Sequence, residues 1–308
     1  MNALEFARRW YENILKDALD KEFGDAVAHI AVGKAGRGSE CFGFDDDISR
    51  DHDYNPALQL WITDESDRDF GFELTRFYRK MRKEFIPGGQ SASSMFGDRE
   101  EGVTVIGDFY RRHLGIGAAP ENFQQWLYIP EYAFAEAVNG EVFQDPEGIF
   151  TGIRNQIIHG MPEDVRLKKL AARAAMIAQS GQYNFERCLK HGENAAAALA
   201  LTEFVRNTVS MIFLLNQRFA PYYKWQFRAM RSLPELSDLA DQLTILLTGS
   251  MTDCEKIACI EYIAGRLIGE LKKQSLSDAS GNYLENHALV LMQQIRSREI
   301  RAMHIMEG

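Results

Sequence analysis

The residues best suited to chemistry in this 308-residue chain are Gly36-Arg37-Gly38-Ser39 and, after residues 40–50, Asp51-His52-Asp53. A glycine turn leaving an apolar strand lets backbone N–H groups come close to an anion, and a serine hydroxyl there can donate to a terminal phosphate. Asp51 and Asp53 stand at i and i+2, so on an extended strand their carboxylates share one side, about 6–7 Å apart along the chain. Such a pair repels itself unless a cation lies between, and hard oxygen ligands suit magnesium. His52 then points to the opposite face, as a core or second-layer residue. An ordinary turn also accounts for a lone Gly-Ser pair, and the neighbouring Asp45-Asp46-Asp47 makes a solvated acidic loop the plainer account of the aspartates. The combination of turn and pair carries the argument for a triphosphate with its metal.

The elements that must position these residues follow from composition and periodicity. A hydrophobic content of 45% supports a substantial core, and the length suggests two domains. The net charge of −9 disfavours broad binding to nucleic acid, which depends on neutralising many phosphates. The N-terminus lacks the apolar region of a secretory signal, and no later run offers about 18 uncharged apolar residues, so a soluble, cytoplasmic protein is expected. Cys41, Cys188, Cys254 and Cys259 form no CxxC pair and read as reduced thiols.

Periodicity predicts a helix over 3–22, a buried strand over 26–33 running into the glycine turn, and a second strand over 57–63 closed by an acidic loop. A helix over 70–85, a mobile polar loop over 88–99, a third strand over 103–106 and short helices over 109–115 and 131–138 follow, then a last short strand within 139–148. From Pro162 onward the pattern is helical: 165–179 ending at Ser180-Gly181, then 183–190, 194–217, 233–247, 253–273 and 281–303. The fold class is therefore α+β, a small mixed sheet domain over 1–160 followed by an all-α helical bundle over 161–308.

An apolar strand, Gly38-Ser39, then Asp51-x-Asp53 ahead of a second apolar strand resembles the DNA polymerase β-like nucleotidyltransferase superfamily over residues 26–63. A sheet domain followed by a helical bundle looks like the kanamycin and lincosamide nucleotidyltransferases. Residues 140–148, 182–187, 213–216 and 221–225 are most like an uncharacterised bacterial group of that superfamily. The resemblance implies that Gly38 and Ser39 hold nucleotide phosphates. It implies that Asp51 and Asp53 bind two magnesium ions, which clamp the attacking and leaving oxygens. The implied reaction moves a nucleoside monophosphate, AMP from ATP, to a hydroxyl of a small-molecule acceptor. Many members carry a third carboxylate on a later strand, where this chain has Thr104. Asp108, in strand parity with Thr104 and Ile106, is the expected third metal ligand, ahead of Glu101 and Asp145; its plainer role is an N-cap for a helix starting at Phe109.

Lys224, among Tyr222, Tyr223 and Trp225, is expected to contact the triphosphate while the aromatics stack on a ring. Arg187 and Lys190 are weaker versions of that idea. Glu186, before Glu193, is the expected base for an acceptor hydroxyl. A rival pattern, Arg154 to His159, resembles the motif of HEPN-type ribonucleases, although Gly160-Met161-Pro162 ends that segment directly after the histidine. A non-catalytic nucleotide-binding protein of the same fold is the other alternative. The expected partners are a nucleoside triphosphate and a small-molecule acceptor, with neither membrane nor nucleic acid, and a homodimer is allowed for.

Overall fold

The structure is a computed structural model that describes residues 2–46, 57–85 and 101–308. Asp51, His52, Asp53 and the 88–99 stretch lie outside the described residues. The chain forms two compact units, Met1–Glu121 with Ala133–Gly160, and Asn122–Tyr132 with Met161–Gly308.

In the first unit, α1 (Ala3–Trp10) opens with a capping box in which the Asn2 side chain accepts from the Glu5 N–H at 2.8 Å. One π-helical turn, Tyr11–Leu15, leads into α2 (Lys16–Phe23), which ends at Gly24. The apolar run expected as a strand from residue 26 instead begins with a 3-10 turn, Gly24–His29, and β1 is Ala31–Lys34. After β2 (Gln59–Ile62), the acidic stretch expected as a loop is α3 (Asp64–Ser66), N-capped by Thr63, where the helix dipole favours its carboxylates. A π turn, Asp67–Gly71, continues it into α4 (Phe72–Phe85). Next come β3 (Gly102–Val105) and α5 (Ile106–Leu114); α6 (Phe123–Tyr128) belongs to the second unit, and α7 (Glu131–Val138) starts there and returns to the first at Ala133. β4 (Glu141–Gln144) and α8 (Ile149–His159) complete this part of the chain.

The four strands form one mixed sheet in the order β3-β2-β1-β4, with β1 antiparallel to β2 and β4, and β2 parallel to β3. Alternation along β2 separates two cores. Leu60 and Ile62, with Val32 of β1, pack in one cluster with Trp10, Leu15, Leu19, Leu74 and Tyr78. Trp61 points the other way and stacks on Phe150 of α8 at 3.8 Å, with Phe109 of α5 edge-on at 5.5 Å. Aromatic pairs of this kind add about 0.5–1.5 kcal/mol beyond the area they bury.

The second unit is helical: α6, α9 (Glu163–Ile177), α10 (Glu186–Lys190), α11 (Asn194–Leu215), α12 (Tyr223–Met230), α13 (Leu239–Thr248), α14 (Asp253–Lys273), α15 (Leu284–Gln294) and α16 (Arg298–Arg301). α11 is long and apolar enough in composition to cross a membrane, and here it is the core helix, burying Phe204, Val205, Ile212 and Leu215. The helix expected to stop at Ser180-Gly181 does not stop there: a π segment, Ala178–Phe185, joins α9 to α10. Gly181 is used for packing, since a Cβ on it would fall 2.2 Å from the Phe204 ring. The helix expected over 281–303 is split, because Asp164 accepts from the Arg296 and Ser297 N–H groups at 3.1 and 2.8 Å and draws that backbone out of helix. The α+β expectation, a small mixed sheet followed by helices, holds.

Candidate functional site

β1 delivers the chain through Lys34 and Ala35 into Gly36-Arg37-Gly38-Ser39, and two distant side chains fix the start of this turn. The Ala35 N–H donates to Gln59 Oε1 at 2.8 Å. Gly36 is clasped by Asn139, whose amide accepts from the Gly36 N–H at 2.8 Å and donates to the Gly36 carbonyl at 2.7 Å. Gly36 and Gly38 have φ of 125° and 104°, which residues with a Cβ rarely adopt. The Cys41 N–H then donates to the Gly38 carbonyl at 3.3 Å, and the Ser39 carbonyl accepts from the Phe42 and Phe44 N–H groups. Among the described residues, the Gly38 and Ser39 N–H groups and the Ser39 hydroxyl have no hydrogen-bond partner. These are donors of the kind that a bound anion would require.

The electrostatics beneath the turn rest on two buried residues. Glu40 lies directly against Gly38, so that a Cβ at position 38 would be 2.5 Å from Glu40 Oε2. Lys34, only 1% exposed, places Nζ 3.9 Å from Glu40 Oε1 and 3.4 Å from the Ala57 carbonyl. A buried carboxylate alone would repel a phosphate at the turn, and the lysine offsets that charge. Arg37 is tied down beside them: Nε is 3.5 Å from Glu136 Oε2, which is also 3.6 Å from His113 Nδ1, and Nη2 donates to the Arg112 carbonyl at 3.3 Å.

Sheet register sets the start of β2 beside the end of β1. Gly33 pairs with Gln59 across β1 and β2, so the end of β1 and the start of β2 share one end of the sheet. The described chain resumes there, at Ala57, shortly after Asp51 and Asp53 in sequence.

The strand parity expected of Asp108 is not what the structure shows. β3 stops at Val105 and α5 begins at Ile106, so Asp108 has no strand parity with Thr104. Asp108 is exposed and paired with Arg111 one helical turn on, and its side chain makes no cap hydrogen bond. Glu101 is 2.9 Å from Arg82 Nε, and Asp145 accepts from the Thr151 N–H at 2.7 Å at the start of α8. Among the described residues no three His, Cys, Asp or Glu side chains converge as metal ligands. Asp108, Glu101 and Asp145 are thus each engaged by a protein partner, and Asp51 and Asp53 lie outside the described residues.

The residues named in the helical unit are dispersed. Glu186 is half-exposed and paired with Lys190 at 2.8 Å, and Arg187 lies over the Tyr183 ring at 5.6 Å. Glu193 is exposed ahead of α11. Lys224 is exposed on α12, a helix where a loop was expected; its neighbours Tyr222 and Tyr223 line a cavity that Lys224 does not. Of the ribonuclease-like pair, Arg154 donates to the Gly140 carbonyl at 3.1 Å and burial lowers its pKa, while His159 is exposed at the last residue of α8.

Gln59, Asn139, Lys34 and Glu40 were not singled out by sequence. Only Asn139-Gly140 carried a signal, as a turn dipeptide. A strand-end lysine reads as solvated until the sheet buries it.

Residues 126–226 match a protein-family model described as a domain of unknown function, DUF4037. No curated protein matches the chain. Among solved structures, the chain is similar to a nucleotidyltransferase-like protein from Exiguobacterium sibiricum 255-15, with 11% sequence identity, 92% of this chain and 81% of that chain covered, and a TM-score of 0.39.

Proposed function

We propose that the protein is a magnesium-dependent nucleotidyltransferase that moves a nucleoside monophosphate, AMP from ATP, to a hydroxyl of a small molecule in the cytoplasm. The observation that carries this reading is the glycine turn. Among the described residues the Gly38 and Ser39 N–H groups and the Ser39 hydroxyl have no partner, and the end of β1 lies beside the start of β2, which follows Asp51 and Asp53 in sequence. In this reading the turn binds and orients the phosphates, and Lys34 keeps Glu40 from opposing them. Magnesium on Asp51 and Asp53 supplies neutralisation of triphosphate charge. Glu186 as base and Lys224 as phosphate contact remain part of the proposal; neither supports it, since Glu186 holds Lys190 and Lys224 is exposed on its helix.

The pairing of Asp108 with Arg111 favours a second reading, a nucleotide-binding protein without transfer activity. Pyrophosphate release from ATP over a broad panel of hydroxyl acceptors separates the two. Transfer predicts magnesium-dependent release that Asp51→Asn with Asp53→Asn abolishes. Tight ATP binding with no release from any acceptor would favour the non-catalytic protein.

A further inference from the structure

The helical unit contains an open cavity of about 810 Å³, and every residue lining it except Gly308 belongs to residues 126–226. Its wall carries two internally matched charge groups. Glu131 accepts from the Ser210 hydroxyl at 3.0 Å and lies 4.0 Å from Arg173, whose Nε donates to the same hydroxyl at 2.9 Å. Glu203 pairs with Arg206 at 3.2 Å and accepts from the Asn207 amide at 2.9 Å.

Lys169 is different. It lines the cavity at only 2% exposure and makes no hydrogen bond, and no ion pair within 4.0 Å, among the described residues. Glu131 attracts it from beyond that distance but is already bound by Ser210 and Arg173. Burial accordingly lowers the Lys169 pKa. A buried ammonium with no direct ion-pair partner is costly, and the cavity it lines is where one can enter.

The wall also carries four exposed aromatic side chains. Tyr128, Tyr132, Tyr222 and Tyr223 line the cavity and are all exposed. Tyr222 lies 4.4 Å from Tyr223 and 5.8 Å edge-on from Tyr132. Exposed tyrosines clustered at one cavity offer flat apolar surface with polar tips, suited to a planar ring.

We propose that this cavity binds a small molecule in which an oxyanion, phosphate or carboxylate, is carried on a planar ring, with Lys169 taking the oxyanion and the tyrosines taking the ring. The site stands on the helical unit alone and is independent of the reading of the glycine turn.

Calorimetric titration of the full chain with phenyl phosphate, benzoate, inorganic phosphate and phenol tests it. At least one ring-bearing anion should bind, about tenfold or more tighter than phenol or inorganic phosphate. Lys169→Met, which keeps the volume and removes a buried charge, should weaken that anion about tenfold or more while the chain stays folded. Tyr223→Ala, at an exposed position, should weaken the ring-bearing anion and leave inorganic phosphate unchanged. Binding of phenyl phosphate alone assigns a phosphate, and of benzoate alone a carboxylate; either supports the site. No binding of either at millimolar concentration, binding unchanged by Lys169→Met in a folded chain, or inorganic phosphate as tight as phenyl phosphate would overturn it. Asp51→Asn with Asp53→Asn should leave this binding intact, which separates its failure from that of the nucleotide site.

Discussion

A buried carboxylate beside the glycine turn is tolerable only if its charge is met from within, and Lys34 meets Glu40 inside the sheet domain. Removing one member of a buried pair leaves the other in a low-dielectric site, so Lys34→Met should destabilise the first unit by about 3 kcal/mol. Lys34→Met with Glu40→Gln should cost clearly less than the sum of the two single changes, as read from denaturant unfolding in a double-mutant cycle. Gly38 carries a sharper constraint, because φ of 104° strains any residue with a Cβ, and a Cβ there would also displace the Glu40 carboxylate. Gly38→Ala should lose about 1–3 kcal/mol of stability together with nucleotide affinity, whereas Ser39→Ala should keep the fold and weaken only the nucleotide. Comparing melting curves with ATP titrations for the two variants distinguishes strain from a lost donor.

At the level of elements, several positions show what the sequence does and does not make legible. The helices Glu131–Val138 and Asp253–Lys273 match their apolar periodicity and caps, because their ends are decided locally by Pro130 and by the Thr252/Glu255 capping box. Ser180-Gly181 misleads, because its glycine serves a contact with Phe204 that is invisible until α11 is packed. Gly181→Ala should therefore cost about 1–3 kcal/mol through overpacking, and Phe204→Leu in the same chain should recover part of that loss. Thermal unfolding of the two single variants and the double variant reads this coupling. β3 and α5 mislead for a related reason: β-branched Ile106 extends the strand pattern, yet the chain turns helical there and carries Asp108 to an exposed face. The turn motif is legible because it is contiguous. Its supports, Gln59 and Asn139, come from elsewhere in the chain and become visible only when β2 and the Asn139-Gly140 turn meet β1.

Across the whole molecule, ionisation adds a pH signature. Lys168 is fully buried on α9 and donates to the carbonyls of His304, Ile305 and Glu307, and burial lowers its pKa from 10.5 to about 8. Between those values the unfolded chain binds more protons than the folded one, so the lysine's contribution to stability rises with pH through this window and falls away as pH drops through about 8. The melting temperature of the native chain relative to Lys168→Met should accordingly increase from about 8 to 10.5; a flat or decreasing difference would contradict the assignment. The α+β order of a small sheet and then helices is legible in the sequence because short apolar runs set between helices give way, after Pro162, to helical periodicity near 3.6 throughout. The proposed chemistry rests instead on Asp51 and Asp53 acting with Gly38 and Ser39. The direct test is the affinity of the full chain for ATP with and without magnesium, before and after Asp51→Asn with Asp53→Asn. The account predicts that magnesium tightens ATP binding about tenfold or more and that the double variant removes this increment while remaining folded. ATP binding that is indifferent to magnesium, or an increment unchanged by the two substitutions, would contradict it.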